Sequence, residues 1–92
     1  MNENEKLKLA GYVVSSKYRV NVMSTLSNHK VCIPTKIAKE SGILTNHISK
    51  VLSELKDKNL VICLNEDTRK GRLYRLTPLG VEVQVVVEGL LD

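Results

Sequence analysis

The sequence predicts an α+β domain: a three-helix core, a β-hairpin and an extra C-terminal helix. Three observations predict it. Ile48, Val51, Leu52 and Leu55 recur at i, i+3, i+4 and i+7, the stripe of a helix docked on a core. Ahead of them a shorter helical stretch starts at Pro34 and closes at Gly42. Behind them two β-prone runs, Leu60–Leu64 and Arg72–Leu76, flank the polar stretch Asn65–Gly71 as the arms of a hairpin flank its loop. Helix, turn, helix and hairpin in that order make a winged helix-turn-helix. The 92 residues suffice for one such domain and show no repeat, linker or second unit.

Taken in order, residues 1–4 are expected to fray. Residues 5–27 read as helical, in one long piece or two short ones. Leu7, Ala10 and Val14 form a first stripe, with Tyr12 and Val13 beside it. Ser15 or Ser16 can cap a second piece, in which Arg19, Val22, Met23 and Leu26 share a side. Ser27, Asn28 and His29 read as a loop, and Val31–Ile33 as a short β-prone run. Pro34 suits the first turn of a helix, where its missing N–H costs nothing. Ile37, Ala38 and Ser41 line that helix, and Gly42 can end it in a left-handed conformation. Thr45 can cap the next helix and Asn59 can end it. At about 100° per residue, the face opposite its apolar stripe holds Asn46, Ser49, Lys50, Ser53 and Asp57, with His47 toward one edge. Thr77-Pro78 caps and starts a last helix running to about Leu91. Val81, Val83, Val85 and Val87 alternate as a strand would, but the Thr-Pro start and the length favour the helix.

The formal charge of +4 is unevenly spread. Residues 28–76 hold ten Lys and Arg against five Asp and Glu, while the last sixteen residues hold Glu82, Glu88 and Asp92 and no base. A basic middle beside an acidic end suits a local anionic partner. No apolar run approaches the roughly 18 residues of a membrane span, and the N-terminal stretch lacks the order of a signal peptide, so a cytoplasmic location is expected. Cys32 and Cys63 sit singly in apolar strand-like runs and read as small packed hydrophobes. Catalysis is not expected. There is no Gly-rich phosphate loop, no GxSxG and no carboxylate pair in an apolar setting, and no cofactor motif.

The order SxYRxxVxxxL (from Ser16), PTKIAKESGI, HISKVLSELKDKNLV and KGRLYRLTPLG resembles archaeal winged-helix transcriptional regulators related to the MarR and ArsR families. The resemblance covers roughly residues 12–82. It implies that Pro34–Ser41 is the supporting helix, Thr45–Lys58 the recognition helix and residues 65–71 the wing tip. It departs from the family pattern at Ile33, where Thr often caps the helix; Thr35 could serve instead. It departs again at Pro78 and Leu79, at the joint to the last helix. The metal-sensing subgroup clusters Cys and His on a helix, whereas Cys32, Cys63, His29 and His47 are scattered here, so no metal is expected.

The expected partner is therefore double-stranded DNA. Asn46 can pair with adenine, Lys50 can reach guanine or phosphate, and His47 can approach a base or a phosphate. Thr45, Ser49, Ser53, Lys36 and Lys39 suit phosphate or sugar contacts, and Arg69, Lys70 and Arg72 suit phosphates or a minor groove from the wing. The plain alternative for each is a solvated surface residue, or a cap in the case of Thr45. Glu66 and Asp67 cancel part of the wing's charge or orient its arginines. The last helix is expected to present Leu79, Val83, Val86, Val87 and Leu90 on one stripe, leaving Val81 and Val85 outside it. That surplus, with Leu7, Ala10 and Val14, suits a homodimer interface built from Leu7, Ala10, Val14, Val81, Val85, Val86 and Leu90. The runner-up function is a winged helix that docks on another protein of the transcription machinery.

Overall fold

A computed structural model describes residues 2–92. Among the described residues the chain forms α1 (Glu3–Val14), α2 (Lys17–His29), α3 (Pro34–Ser41), α4 (Thr45–Asp57), β1 (Val61–Cys63), β2 (Tyr74–Leu76) and α5 (Pro78–Leu91). The strands pair antiparallel, Val61 opposite Leu76 and Cys63 opposite Tyr74. Cys32 adds a bridge to Tyr74, so the run before α3 lies along the outer side of β2. This is the expected α+β winged helix-turn-helix, with the extra C-terminal helix in place.

Each boundary has a local cause. Asn2 caps α1 by accepting from the Glu5 backbone N–H at 2.9 Å, so the helix begins inside the stretch expected to fray. Met1 lies outside the described residues. Ser16 caps α2 by accepting from the Arg19 N–H, which splits the N-terminal material into two helices. Ser27–His29 is not a loop. It completes α2, which stops one residue later at Lys30, where φ is 60° and the Val31 N–H closes a tight turn on the His29 carbonyl. Gly42 ends α3 at φ 75° as expected. The entries to α3 and α4 differ from expectation. Ile33 and Leu44 occupy the cap positions, and no side chain among the described residues caps either helix, so neither Thr35 nor Thr45 does so.

The joint between α4 and α5 is closely tied. Asn59 takes φ 59°, and the N–H groups of Asn59 and Leu60 donate back to the carbonyls of Lys56 and Leu55. That left-handed finish turns the chain into β1. The Thr77 hydroxyl then donates to the Asn59 carbonyl at 2.7 Å and accepts from the Gly80 N–H at 2.9 Å. Gly80 lies so close that a Cβ there would collide with the Leu60 carbonyl oxygen.

The core gathers Val13, Val22, Met23, Leu26, Ile37, Ile48, Leu55, Leu60, Val83 and Val87, each essentially inaccessible to water. The four-residue stripe of α4 is wholly buried, as its spacing predicts. The strands are shorter than the β-prone runs, although the Leu64 N–H still donates to the Leu73 carbonyl at 2.8 Å before the chain opens into the wing. The stripe of α5 is shifted from expectation. Gly80, Val83, Gln84 and Val87 are buried, Leu79 and Val86 half-buried, and Leu90 is exposed. Gln84 is buried on this helix, against which both α1 and α2 pack. Ala10, on α1, is fully buried in the monomer, so it cannot present a surface to a second chain. Val14 and Val86 are partly buried against the same core.

Candidate nucleic-acid interface

The outward face of α4 carries Thr45, Asn46, Ser49, Lys50 and Ser53, all exposed. They are held at fixed spacing because Ile48, Val51, Leu52 and Leu55 anchor the other side of the same helix. His47 is half-buried at the edge of this face. Its ring meets the Tyr18 ring from the first turn of α2, with centroids 5.2 Å apart. The imidazole is thus partly committed to an intramolecular contact. Lys36 and Lys39 are exposed on α3.

The wing is shaped by polar clips. The Asn65 side chain accepts from the Leu73 N–H at 2.7 Å and donates to the Gly71 carbonyl at 3.1 Å, closing the loop at its base. Gly71 sits at φ 68°, a conformation that a side chain would strain. The Arg72 guanidinium donates to the Thr68 carbonyl at 2.7 Å and the Glu66 carbonyl at 3.3 Å, so it braces the wing from within. Glu66 does not orient the arginines through its carboxylate; that group pairs with Lys56 on α4. Arg69 and Lys70 are exposed and have no side-chain partner among the described residues.

Between α4, the start of α3 and the wing lies an open cleft of about 610 Å³. Thr35, Ser49, Ser53, Lys56, Arg69 and Lys70 line it, with Arg72 at its wall. Ile33, Pro34, Leu52 and Tyr74 line it too, so the hydroxyls and cations, groups that hold phosphate oxygens, share it with apolar surface. The structure therefore brings Ser49, Ser53, Arg69, Lys70 and Arg72 together. Lys50 opens on a neighbouring depression with Ser53, Glu54 and Asp57, and Asn46, His47, Lys36 and Lys39 lie outside the cleft. Sequence reasoning missed Lys56. Its signal was present, because Ser49, Ser53 and Lys56 fall at i, i+4 and i+7 and so share a stripe. It also missed Tyr12, Tyr18 and Glu54, whose contacts span distant parts of the chain.

Cys32 and Cys63 are buried free thiols. Burial pushes the Cys32 thiol up from its ordinary value, which keeps it protonated and unreactive. No helix is long and apolar enough to cross a membrane among the described residues.

No protein-family model and no curated protein matches the chain. Solved structures do. A mutant of S. aureus MepR bound to an oligodeoxyribonucleotide superposes with a TM-score of 0.73 at 20% identity, over 97% of this chain and 70% of that one. The fold is that of the MarR-family winged-helix regulators. A MarR family transcriptional regulator from Silicibacter pomeroyi DSS matches with a TM-score of 0.69 at 21% identity, over 94% of this chain and 60% of its own. Bordetella bronchiseptica BpsR, whose DNA binding is regulated by 6-hydroxynicotinic acid, gives 0.66 at 26% identity, over 80% of this chain and 55% of its own. The chain thus spans little more than half the length of several MarR-like structures it matches. These neighbours support the MarR side of the sequence resemblance and give no support to an archaeal origin or an ArsR-like relationship.

Proposed function

We propose that the chain is a sequence-specific, double-stranded DNA-binding transcriptional regulator that acts as a homodimer. One observation carries the reading: Ser49 and Ser53, on the polar outward face of α4, border the same cleft as the two unpartnered cations of the wing, Arg69 and Lys70. A helix face of this kind fits a major groove, and a basic hairpin beside it fits the adjoining backbone. Asn46 and Lys50 are assigned to bases, and His47 to the edge of the contact. Thr45, Ser49, Ser53, Lys56, Lys36 and Lys39 are assigned to phosphates, with Arg69 and Lys70 extending the contact from the wing. Arg72 chiefly shapes the wing.

The dimer proposal rests on what α1 and α5 leave uncovered. Leu7, Val81, Val85, Leu90 and Leu91 are each more than half exposed on these two helices. A second copy would cover them and would place two α4 helices about 34–36 Å apart, or a multiple of that, to meet successive major grooves. Val85 is the most exposed of the set at 66%, and Val85→Asp should give a folded monomer by sedimentation with sharply weaker operator binding. A wild type that is monomeric at tens of micromolar overturns the dimer alone. The DNA reading is tested by selecting bound duplexes from a random pool. Recovery of a recurring two-fold sequence is expected, and recovery of no enriched sequence contradicts it.

A further inference from the structure

Arg19 is engaged on every side, and none of its partners lies on the outward face of α4. Its Nε donates to the Tyr12 carbonyl at 2.9 Å, Nη2 donates to the Ser15 hydroxyl at 2.8 Å, and Nη1 meets the Glu54 carboxylate at 3.3 Å. The guanidinium carbon stands 3.9 Å from the centroid of the Tyr12 ring. Its side chain is only 13% exposed. Tyr12 and Ser15 belong to the end of α1, whereas Glu54 belongs to α4.

Two further contacts follow the same line. Tyr18, the residue before Arg19, meets His47 near the start of α4. The Lys58 ammonium, at the end of α4, lies 5.3 Å from the Tyr12 ring. The α1–α2 corner therefore touches α4 at residues 47, 54 and 58, over about 16 Å of helix axis at about 1.5 Å per residue.

The physical division of labour is clear. Burial of Ile48, Val51, Leu52 and Leu55 sets which side of α4 faces inward and how deeply it sits, but apolar contact is non-directional, so small changes of roll within that packing cost little burial. A guanidinium is planar, and its donors point in set directions. Held at once by a carbonyl, a hydroxyl, a carboxylate and a ring, it fixes the angle at which α4 stands to α1. On its other side α1 packs along α5, with Lys6 and Glu82 paired across that contact at 2.7 Å.

We infer that Arg19 is a positioning residue: it sets the roll of α4 against the α1–α5 layer and so the base preference of the outward face. The inference rests on the DNA-binding reading above.

The test uses Arg19→Met, which keeps the apolar stem, Glu54→Gln, which keeps the shape, and the double variant. Each is titrated with a duplex selected by the wild type and with random duplex, at a temperature where circular dichroism shows it fully folded. Each single variant should lose about fivefold to tenfold in the ratio of selected to random affinity. The double variant should lose no more than the worse single one, because the two residues act as a unit. A general electrostatic effect acts on selected and random duplex alike, so it would move both absolute affinities together and leave their ratio unchanged. Folded variants with the wild-type ratio, or losses of ratio that multiply in the double variant, would each overturn the inference. If Arg19→Met does not fold, half-exposed Glu54→Gln decides alone. A wild type without sequence preference removes the DNA reading and this inference together; a wild type with preference and unaltered variants removes only this inference.

Discussion

Helix α4 and the wing present side chains around one cleft, yet they are held by opposite means. Four aliphatic residues bury one side of α4 completely. The wing from Asn65 to Gly71 has no buried residue and keeps its shape through the Asn65 side chain and the Arg72 guanidinium. Buried apolar contacts resist opening, whereas water-exposed hydrogen bonds contribute little net stability. The helix is suited to a reading that demands fixed spacing. The wing is suited to a contact that tolerates adjustment, as phosphate neutralisation does.

The sharpest way to break this comparison is to weaken each anchor. Leu55→Ala should destabilise the fold by about 2–5 kcal/mol, while Asn65→Ala should cost about 0.5–1.5 kcal/mol. Denaturant unfolding measures both, and equal costs would end the distinction. A smaller effect is expected for the outward face. Asn46→Ala should relax preference at one base pair by about 1–3 kcal/mol and leave folding within about ±0.5 kcal/mol. A large fall in melting temperature would make Asn46 a structural residue.

The wing can be sharpened residue by residue. Arg69→Ala with Lys70→Ala should lower the salt slope of DNA binding by about two units, and Arg72→Ala by less than about one, because its guanidinium serves the wing's own backbone. Equal slopes per residue would return Arg72 to the contact set.

The smallest effect lies far from both regions. The hydrogen bond between Lys6 and Glu82 lowers the Glu82 carboxyl from its ordinary 4.5 and raises the Lys6 ammonium from its ordinary 10.5. A depressed carboxyl contributes stability above its unfolded value and loses it as pH falls through the folded one. A raised ammonium contributes below its unfolded value and loses that contribution as pH rises through the folded one. The pair thus holds α1 to α5 across the wide window between those limits. Glu82→Gln should flatten slightly the acid and alkaline limbs of a stability–pH curve; unchanged limbs would remove the pair from the account.

The order of elements was legible because periodicity reports burial. Ile48, Val51, Leu52 and Leu55 announce α4, and Thr77-Pro78 announces α5. Asn59 and Gly42 were readable as helix ends because few residues accept positive φ. The shifted stripe of α5 was not legible, because an almost continuous run of valines has no single apolar side until α1 chooses one. Arg72 was read by its charge, but its role is set by carbonyls four and six residues back, which no pattern marks. Arg19 was visible only as the start of a stripe. Its partners Tyr12, Ser15 and Glu54 come from two other elements, so only the tertiary fold reveals the corner.

The central claim is that α4 and the wing together hold duplex DNA with a sequence preference. The direct measurement is the affinity of the wild-type chain for a selected duplex and a scrambled one of equal length, across a series of salt concentrations. Both affinities should fall steeply with salt, with a log–log slope of about −0.9 for each phosphate neutralised, and the selected duplex should stay ahead throughout. Negligible binding to both at low salt, or equal binding at every salt concentration, would contradict it.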